Sequence, residues 1–195
     1  MGRKMAGRRI FSAIEISDAA RTACVRHIET VRGSHANVRV GWERPEKLHI
    51  TMRFLGDTSE SDLEKLQVEM NEIAAMSRPF KLGLTAPGVF PSRRRPRIFW
   101  IGIDDRTSAV GPIYQRIENV CRDLGYKEEA RDFTPHITIG RIRQAGAPAA
   151  LVQTHLSAQI EPVEFEVSSI VIYESLLQRT GSVYSKVDSF QFKSV

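Results

Sequence analysis

The feature that most constrains this chain is an internal repeat. Arg9-Ile10-Phe11 opens one apolar run, and Arg97-Ile98-Phe99 opens another 88 positions later. Ile28-Glu29-Thr30-Val31 is matched by Ile117-Glu118-Asn119-Val120 at an offset of 89, and His49-Ile50-Thr51 by His136-Ile137-Thr138 at 87. Self-similarity at one nearly fixed offset marks a duplicated structural unit. The 195 residues are therefore read as a single bilobal domain, 1–195, with repeat halves of about 1–90 and 91–195.

Each half carries the same order of elements. Residues 9–16 and 97–103 are rich in Ile, Phe and Trp and end in turn formers, which predicts buried strands. Helices are expected over 18–32 and 107–124, the second with Val110, Ile113, Tyr114, Ile117, Val120, Cys121 and Leu124 on one face. The two His-x-Thr segments read as strands over about 47–55 and 131–142. Ser59 and Asp62 begin another helix, striped by Leu63, Leu66, Met70 and Ile73, and an Ala-rich helix is expected at about 147–158. Strands near 80–90, 163–174 and 183–192 complete the count. Repeated strand–helix–strand units predict an α+β fold: two pseudo-symmetric lobes, each a mainly antiparallel sheet backed by helices, with a central cleft.

Composition excludes several classes. No apolar run approaches the roughly 18–20 residues of a membrane helix, so no membrane partner is expected. The N-terminal Met-Gly-Arg-Lys-Met-Ala-Gly-Arg-Arg is basic without an apolar core, unlike a secretory signal. Cys24 and Cys121 are far apart in helix-like segments, which argues against a disulfide framework or a cysteine-based zinc site. The expected location is cytoplasmic. The net charge of +5 is concentrated in Arg3, Lys4, Arg8 and Arg9 and in the loop holding Arg93, Arg94, Arg95 and Arg97; without these groups the chain would be mildly acidic. Two basic inserts suit a polyanion such as RNA, although a solvated loop explains the Arg93–Arg97 segment equally well.

In a strand, His49 and Thr51 share one face, and so do His136 and Thr138. If the repeat brings the two strands together, the cleft holds two imidazoles and two hydroxyls. In-line displacement at phosphorus needs one group to deprotonate the nucleophile and another to protonate the departing oxygen. Two histidines with ordinary pKa values near 6.5 supply both roles near neutral pH. The threonine hydroxyls can donate hydrogen bonds to the non-bridging phosphoryl oxygens. No carboxylate cluster accompanies the pair, so neither a metal nor another cofactor is expected. His27, His35 and His155 have no mate at the repeat offset and read as structural or solvent-facing.

Leu48-His49-Ile50-Thr51-Met52-Arg53-Phe54-Leu55-Gly56 and Phe133-Thr134-Pro135-His136-Ile137-Thr138-Ile139-Gly140-Arg141 resemble the paired signatures of the two-histidine phosphoesterase superfamily. The nearest branch is the RNA 2′,3′-cyclic phosphodiesterases, also called RNA 2′-5′ ligases. The resemblance extends to Arg9-Ile10-Phe11-Ser12-Ala13-Ile14-Glu15-Ile16 and Phe99-Trp100-Ile101-Gly102, and thus over nearly the whole chain. It implies metal-free hydrolysis of an RNA-terminal 2′,3′-cyclic phosphate to a 2′-phosphomonoester. By the same resemblance His49 would protonate the departing 3′ oxygen and His136 would activate water, and joining RNA ends through 2′-5′ linkages would be the same chemistry with an RNA hydroxyl replacing water. The residues themselves do not say which histidine is acid and which is base.

Three further residues are candidates for substrate binding. Phe11 is a candidate base-stacking ring, with a core position as its alternative reading. Arg53 shares the parity of His49 and Thr51 and would border the cleft. Arg141 has the opposite parity from Thr138 and reaches the cleft only if the strand bends at Gly140. Trp100 is expected in the core. The expected partners are RNA 3′ ends or nucleotide cyclic phosphates, bound by a monomer. Two alternatives remain: a cyclic phosphodiesterase acting on small nucleotides, and a non-catalytic single-stranded RNA-binding module.

Overall fold

The computed structural model describes residues 7–142, 147–178 and 181–193, so Arg3 and Lys4 lie outside the described residues. Its elements run β1 (Arg8–Glu15), α1 (Asp18–Ser34), β2 (Gly41–Trp42), β3 (His49–Thr58), α2 (Glu60–Ala75), β4 (Phe80–Phe90), β5 (Ile98–Asp104), α3 (Val110–Asp123), β6 (His136–Arg141), α4 (Ala149–Ser157), β7 (Glu164–Val167), β8 (Ser169–Gln178) and β9 (Gly181–Gln191).

The strands form one antiparallel sheet in the order β7-β4-β5-β6-β3-β1-β8-β9, with the short β2 paired to β6. Counted outward from the β3–β6 seam, the two sides read β3-β1-β8-β9 and β6-β5-β4-β7. Repeat mates β3 and β6, and β1 and β5, hold equivalent places. This is the expected pair of pseudo-symmetric antiparallel lobes. The lobes exchange elements, however. α1 follows β1 but packs on α4 and β7 of the opposite lobe, while α3 follows β5 and packs on α2 and β3.

The sheet curls because the chain forces its distant edges together. β7 pairs with β4 on one flank and β8 with β1 on the other, yet only Ser168 separates them. The Ser168 carbonyl accepts from Phe192 N–H, Lys193 N–H bonds the Ser77 carbonyl, and Phe80 stacks on Phe192. The strand expected at 163–174 is therefore two strands in different lobes, and the run of apolar residues concealed that switch. The helices cover the convex side, where Ile10, Ile14, Ile50, Phe99, Ile101 and Ile137 are fully buried. Burial of this kind contributes roughly 1.5–3 kcal/mol per large side chain.

Element ends follow from local chemistry. Ser17 and Ser59 accept the N–H groups of Ala20 and Asp62 and begin α1 and α2. α3 starts at Val110 rather than the expected 107, because the Asp105 carboxylate takes the N–H groups of Ala109 and Val110 and Ser108 adopts φ 54°. β6 starts at His136 rather than 131. Pro135 offers no N–H, and the Glu118 carboxylate holds the Glu129 N–H in the preceding loop.

Under the second lobe lie two buried histidines the cleft does not use. His155 Nε2–H donates to the Gly88 carbonyl at 2.9 Å, which leaves its Nδ1 free to accept from His27 Nε2–H at 2.8 Å. Burial, and then the neighbouring His155, push His27 down to about 4, and burial also lowers His155 against its backbone bonds. The unfolded chain binds protons near 6.5 and the folded chain resists them. Stability is thus complete above that pH and lost as pH falls from 6.5 toward 4. Glu15, whose carboxyl Lys186 and Tyr173 hold below 4.5 against the opposing effect of burial, adds to the loss only at the acid end of this window. Urea unfolding at a series of pH values should show this decline beginning at 6.5, with the lowered His49 and His136 adding to it, and a shallower decline in a His27→Gln variant; a flat profile between 6.5 and 4.5, or an unchanged slope in the variant, would refute the buried neutral pair.

Candidate active site

The seam that joins the lobes also assembles the site. β3 and β6 meet at Ile50 and Ile137, whose side chains are buried on the helix side. Antiparallel counting from that pair sets His49 opposite Thr138 and Thr51 opposite His136, all four on the concave face. The sequence-predicted quartet is brought together. His49, Thr51 and Thr138 line a cavity of about 90 Å³, and Thr51, Thr138 and His136 line the wider cleft into which it opens.

Both histidines are held in the same way. His49 Nδ1–H donates to the Lys47 carbonyl at 2.6 Å, and His136 Nδ1–H donates to the Thr134 carbonyl at 2.7 Å. In each case the acceptor lies two residues back, so the repeat has preserved the tautomer along with the residue. Each neutral ring therefore leaves Nε2 unprotonated. The Thr51 hydroxyl donates to His49 Nε2 at 3.0 Å. Burial lowers the His49 pKa to about 4, against the bond to Lys47; Arg141, His136 and Arg21 lower it further by charge. His136 is lowered by burial and by Arg141, against its bond to Thr134.

Paired irregularities then set where the two candidate arginines point. In the β1–β3 register Ala13 faces Thr51 and Ser12 faces Arg53, so Met52 is an extra residue. In the β5–β6 register Trp100 faces Thr138 and Phe99 faces Gly140, so Ile139 is extra. Met52 and Ile139 are repeat mates, and a bulge re-aims every side chain beyond it. Arg53, expected to border the cleft by strict alternation, does line the cavity of about 290 Å³ beside Thr51 and His136, but turns its guanidinium toward α3. There it is buried, paired with Glu118 at 2.7 Å, and bonded to the Phe54 and Lys127 carbonyls. Arg141, with the wrong parity by alternation, is swung into the cleft and lines it beside His49 and Thr138, 3.4 Å from Glu43. The Arg141 mate in the first half is Phe54, an exposed ring over which Arg9 sits at 4.9 Å.

The aromatic expectations also shift. Phe11 reaches the site but is 2% exposed, with its ring 5.0 Å from His49 and 4.9 Å from Tyr184. It packs the His49 imidazole in place, and the rings open to the cleft are Phe54 and Tyr184. Trp100, expected in the core, lies on the concave side, 5.9 Å from His136 and 5.0 Å from Phe90. Gly88 makes this possible, since a Cβ there would stand 2.1 Å from the indole. Sequence reasoning missed Phe54, Tyr184, Lys47 and Glu43, all of which line the cavity. For Phe54 a signal existed: it stands 87 positions before Arg141. Tyr184 had none, because β9 has no recognisable mate in sequence.

The cleft is rich in cations, with Arg9, Arg44, Lys47 and Arg141 against Glu43 and Glu129. The Arg93–Arg95 side chains are exposed in the β4–β5 loop and do not line it. Among the described residues no group of three or more His, Cys, Asp or Glu could hold a metal ion. Cys24 and Cys121 are free and buried, and burial raises their thiols to about 12 and about 11. No helix among the described residues is long and apolar enough to cross a membrane.

A curled antiparallel sheet with two symmetry-related His-x-Thr pairs at its seam defines a two-histidine phosphoesterase. Comparison with known proteins agrees. The family described as the 2′-5′ RNA ligase superfamily matches residues 18–179. The RNA 2′,3′-cyclic phosphodiesterase of Aeropyrum pernix is 32% identical over 154 residues, covering 77% of this chain and 85% of its own. The enzyme of that name from Methanothermobacter thermautotrophicus is 26% identical over 186 residues, covering 94% of this chain and 98% of its own. Among solved structures, TT0787 of Thermus thermophilus aligns with a TM-score of 0.78 at 24% identity, over 94% of this chain and 97% of its own. E. coli LigT complexed with 3′-AMP aligns at 0.74 with 21% identity, over 96% and 99%. The chain belongs to the 2′-5′ RNA ligase superfamily, within the RNA 2′,3′-cyclic phosphodiesterase branch of the two-histidine phosphoesterases.

The two arginines should separate cleanly in a stability assay. Arg53→Met strands the buried Glu118 carboxylate and should cost about 3–5 kcal/mol in urea unfolding. Arg141→Gln removes a half-exposed charge and should cost about 1 kcal/mol or less. Equal losses would contradict the bulge-driven exchange of their faces.

Proposed function

We propose that this protein hydrolyses RNA-terminal 2′,3′-cyclic phosphates to 2′-phosphomonoesters, without a metal, by acid–base catalysis from His49 and His136. One observation carries the reading. Both imidazoles donate Nδ1–H to a carbonyl two residues back, which fixes each ring and presents both Nε2 atoms as proton-transfer groups. A module that only bound RNA would have no need of this matched pair.

In the proposed step, His136 Nε2 takes a proton from water, and the water oxygen attacks phosphorus opposite O3′. The P–O2′ bond is kept, the P–O3′ bond breaks, and O3′ receives the proton carried by His49 Nε2. The direction of transfer follows the family resemblance. Thr51 and Thr138 donate to the non-bridging oxygens, where charge is greatest in the transition state. Arg141 and Lys47 offset the phosphate charge. In the free protein burial leaves His49 neutral at pH 7. A bound anion reverses the surrounding potential and favours the imidazolium, so His49 acquires its proton with the substrate. The Thr51 hydroxyl, no longer needed at Nε2, then turns to phosphate.

The cations that continue from the cavity, Arg44 and Arg9, favour an RNA end over a free nucleotide. One chain supplies both histidines, so a monomer suffices. An RNA hydroxyl entering in place of water would give a 2′-5′ linkage by the same exchange of bonds.

The direct test is incubation, in EDTA, of a short RNA ending in a 2′,3′-cyclic phosphate. A 2′-phosphate product is expected, with His49→Ala and His136→Ala each reducing turnover by about 10²–10⁴-fold. Undiminished processing by both variants would overturn the mechanism. The pH dependence follows from the depressed histidines. kcat/KM reports the free enzyme, where one ring must be charged and the other neutral. With both pKa values below 6.5, the maximum lies on the acid side of pH 6.5 and the rate declines as pH rises through 7. Arg141→Gln removes a charge that lowers both rings, and should move the profile to higher pH. An optimum at pH 8 or above in the wild type would contradict this reading.

A further inference from the structure

The carbonyl that fixes His136 belongs to a segment with little of its own to hold it. Among the described residues, those of 127–135, between α3 and β6, make no backbone–backbone hydrogen bond. Side chains tie the segment down instead. Arg53 on β3 donates to the Lys127 carbonyl, and the Glu118 carboxylate on α3 accepts the Glu129 N–H at 2.9 Å. Tyr114, also on α3, stacks on Phe133 with centroids at 4.0 Å, one residue before Thr134. Arg53 and Glu118 are locked to each other at 2.7 Å and are only 7% and 8% exposed. Their buried Nε and Oε2 atoms have no other partner among the described residues. A desolvated ion pair is a poor source of stability, since apolar side chains of like volume serve as well or better. What apolar side chains cannot supply is the grip on Lys127 and Glu129.

The first half treats His49 in the same manner with different parts. Its acceptor, the Lys47 carbonyl, ends the 3₁₀ turn Pro45–Lys47, and the Arg21 guanidinium on α1 donates to the Pro45 and Leu48 carbonyls around it. Each histidine is thus oriented by a carbonyl two residues back, and each of those carbonyls sits in a segment gripped by an arginine from another element. We propose that Arg53 and Glu118 form a positioning pair for His136, with catalytic consequence under the two-histidine reading above. By holding Lys127 and Glu129, the pair sets the Thr134 carbonyl, and through it the Nδ1–H tautomer and the aim of Nε2. Arg53 follows His49 by four residues on β3, so the strand that carries one histidine also places the other. The extra residue at Met52 is what turns the guanidinium toward α3 for this task.

The test separates position from stability. Arg53→Met combined with Glu118→Leu removes both buried charges and leaves apolar side chains in their place, so the urea midpoint should stay near that of wild type. The loop nevertheless loses both anchors. Side-chain ¹⁵N NMR at pH 7 should then show an Nε2–H form of His136 that wild type lacks, with His49 still Nδ1–H. On a short RNA ending in a 2′,3′-cyclic phosphate, kcat should fall about 10²-fold, the order expected for a misplaced catalytic group, with KM within about twofold of wild type. Arg53→Lys keeps the charge opposite Glu118 and provides a second folded variant. An ammonium cannot span Glu118 and the Phe54 and Lys127 carbonyls as the guanidinium fork does, so both readouts should move in the same direction. Arg21→Gln should do the converse, disturbing the His49 tautomer and sparing that of His136. An unaltered His136 tautomer in the folded variants would overturn the inference whatever their kcat, and would leave the hydrolytic mechanism standing. Equal disturbance of both histidines would overturn it too, as the mark of general loosening. Absence of turnover by wild type would instead overturn the two-histidine reading, while the tautomers, read without substrate, would still decide whether the pair positions His136.

Discussion

The architecture depends on the contact of β3 with β6 at Ile50 and Ile137. The two isoleucines seal the helix-side core, and their strand neighbours necessarily face the other way. The duplicated His-x-Thr converges on one candidate site because this pairing is antiparallel, which sets each histidine against the threonine of the other half. Slipping one strand by a residue would turn its histidine and threonine toward the core and break the set. The exchange of α1 and α3 between lobes works to the same end, since each sheet is backed by a helix from the opposite repeat.

The repeat gives both histidines the same setting, and departures from it give the two rings unequal surroundings. The tautomer-fixing bonds to Lys47 and Thr134 and the bulges at Met52 and Ile139 are shared by both halves. The residues beyond the bulges are not. Phe54 offers an aromatic surface on one side of the seam, and Arg141 offers a charge on the other. His49 is enclosed by Phe11, Tyr173 and Tyr184, whereas His136 lies against Phe90 and Trp100 beside the larger cavity. A symmetric pair would leave acid and base interchangeable; in the proposed mechanism these unequal surroundings accompany the roles that the family resemblance gives His49 and His136.

The fold class and the four central residues were legible because a repeat reports on partnership without any three-dimensional knowledge. Two copies of one motif at one offset predict that they meet. The positions that alternation alone places poorly, Arg53 and Arg141, sit just past the bulges. Alternation is a rule for regular strands, and one extra residue inverts it without leaving a clear mark in the sequence. Trp100 was misplaced for a related reason. Its cleft-side position depends on the bare backbone of Gly88 in a neighbouring strand, a long-range fit that local hydrophobicity does not encode. Ser168 concealed the lobe switch between β7 and β8, since each flank alone reads as strand.

The central claim is that both histidines stand ready in one orientation, with Nδ1 protonated, Nε2 toward the cleft, and affinities for a further proton lowered by burial. Side-chain ¹⁵N NMR across pH 4–8 tests it most directly. The account predicts Nδ1–H tautomers for His49 and His136 at pH 7, and midpoints below 6.5 with His49 the lower. It also predicts that a bound nucleoside 2′-phosphate raises the His49 midpoint. An Nε2–H tautomer at either residue, or midpoints at or above 6.5 in the free protein, would contradict it.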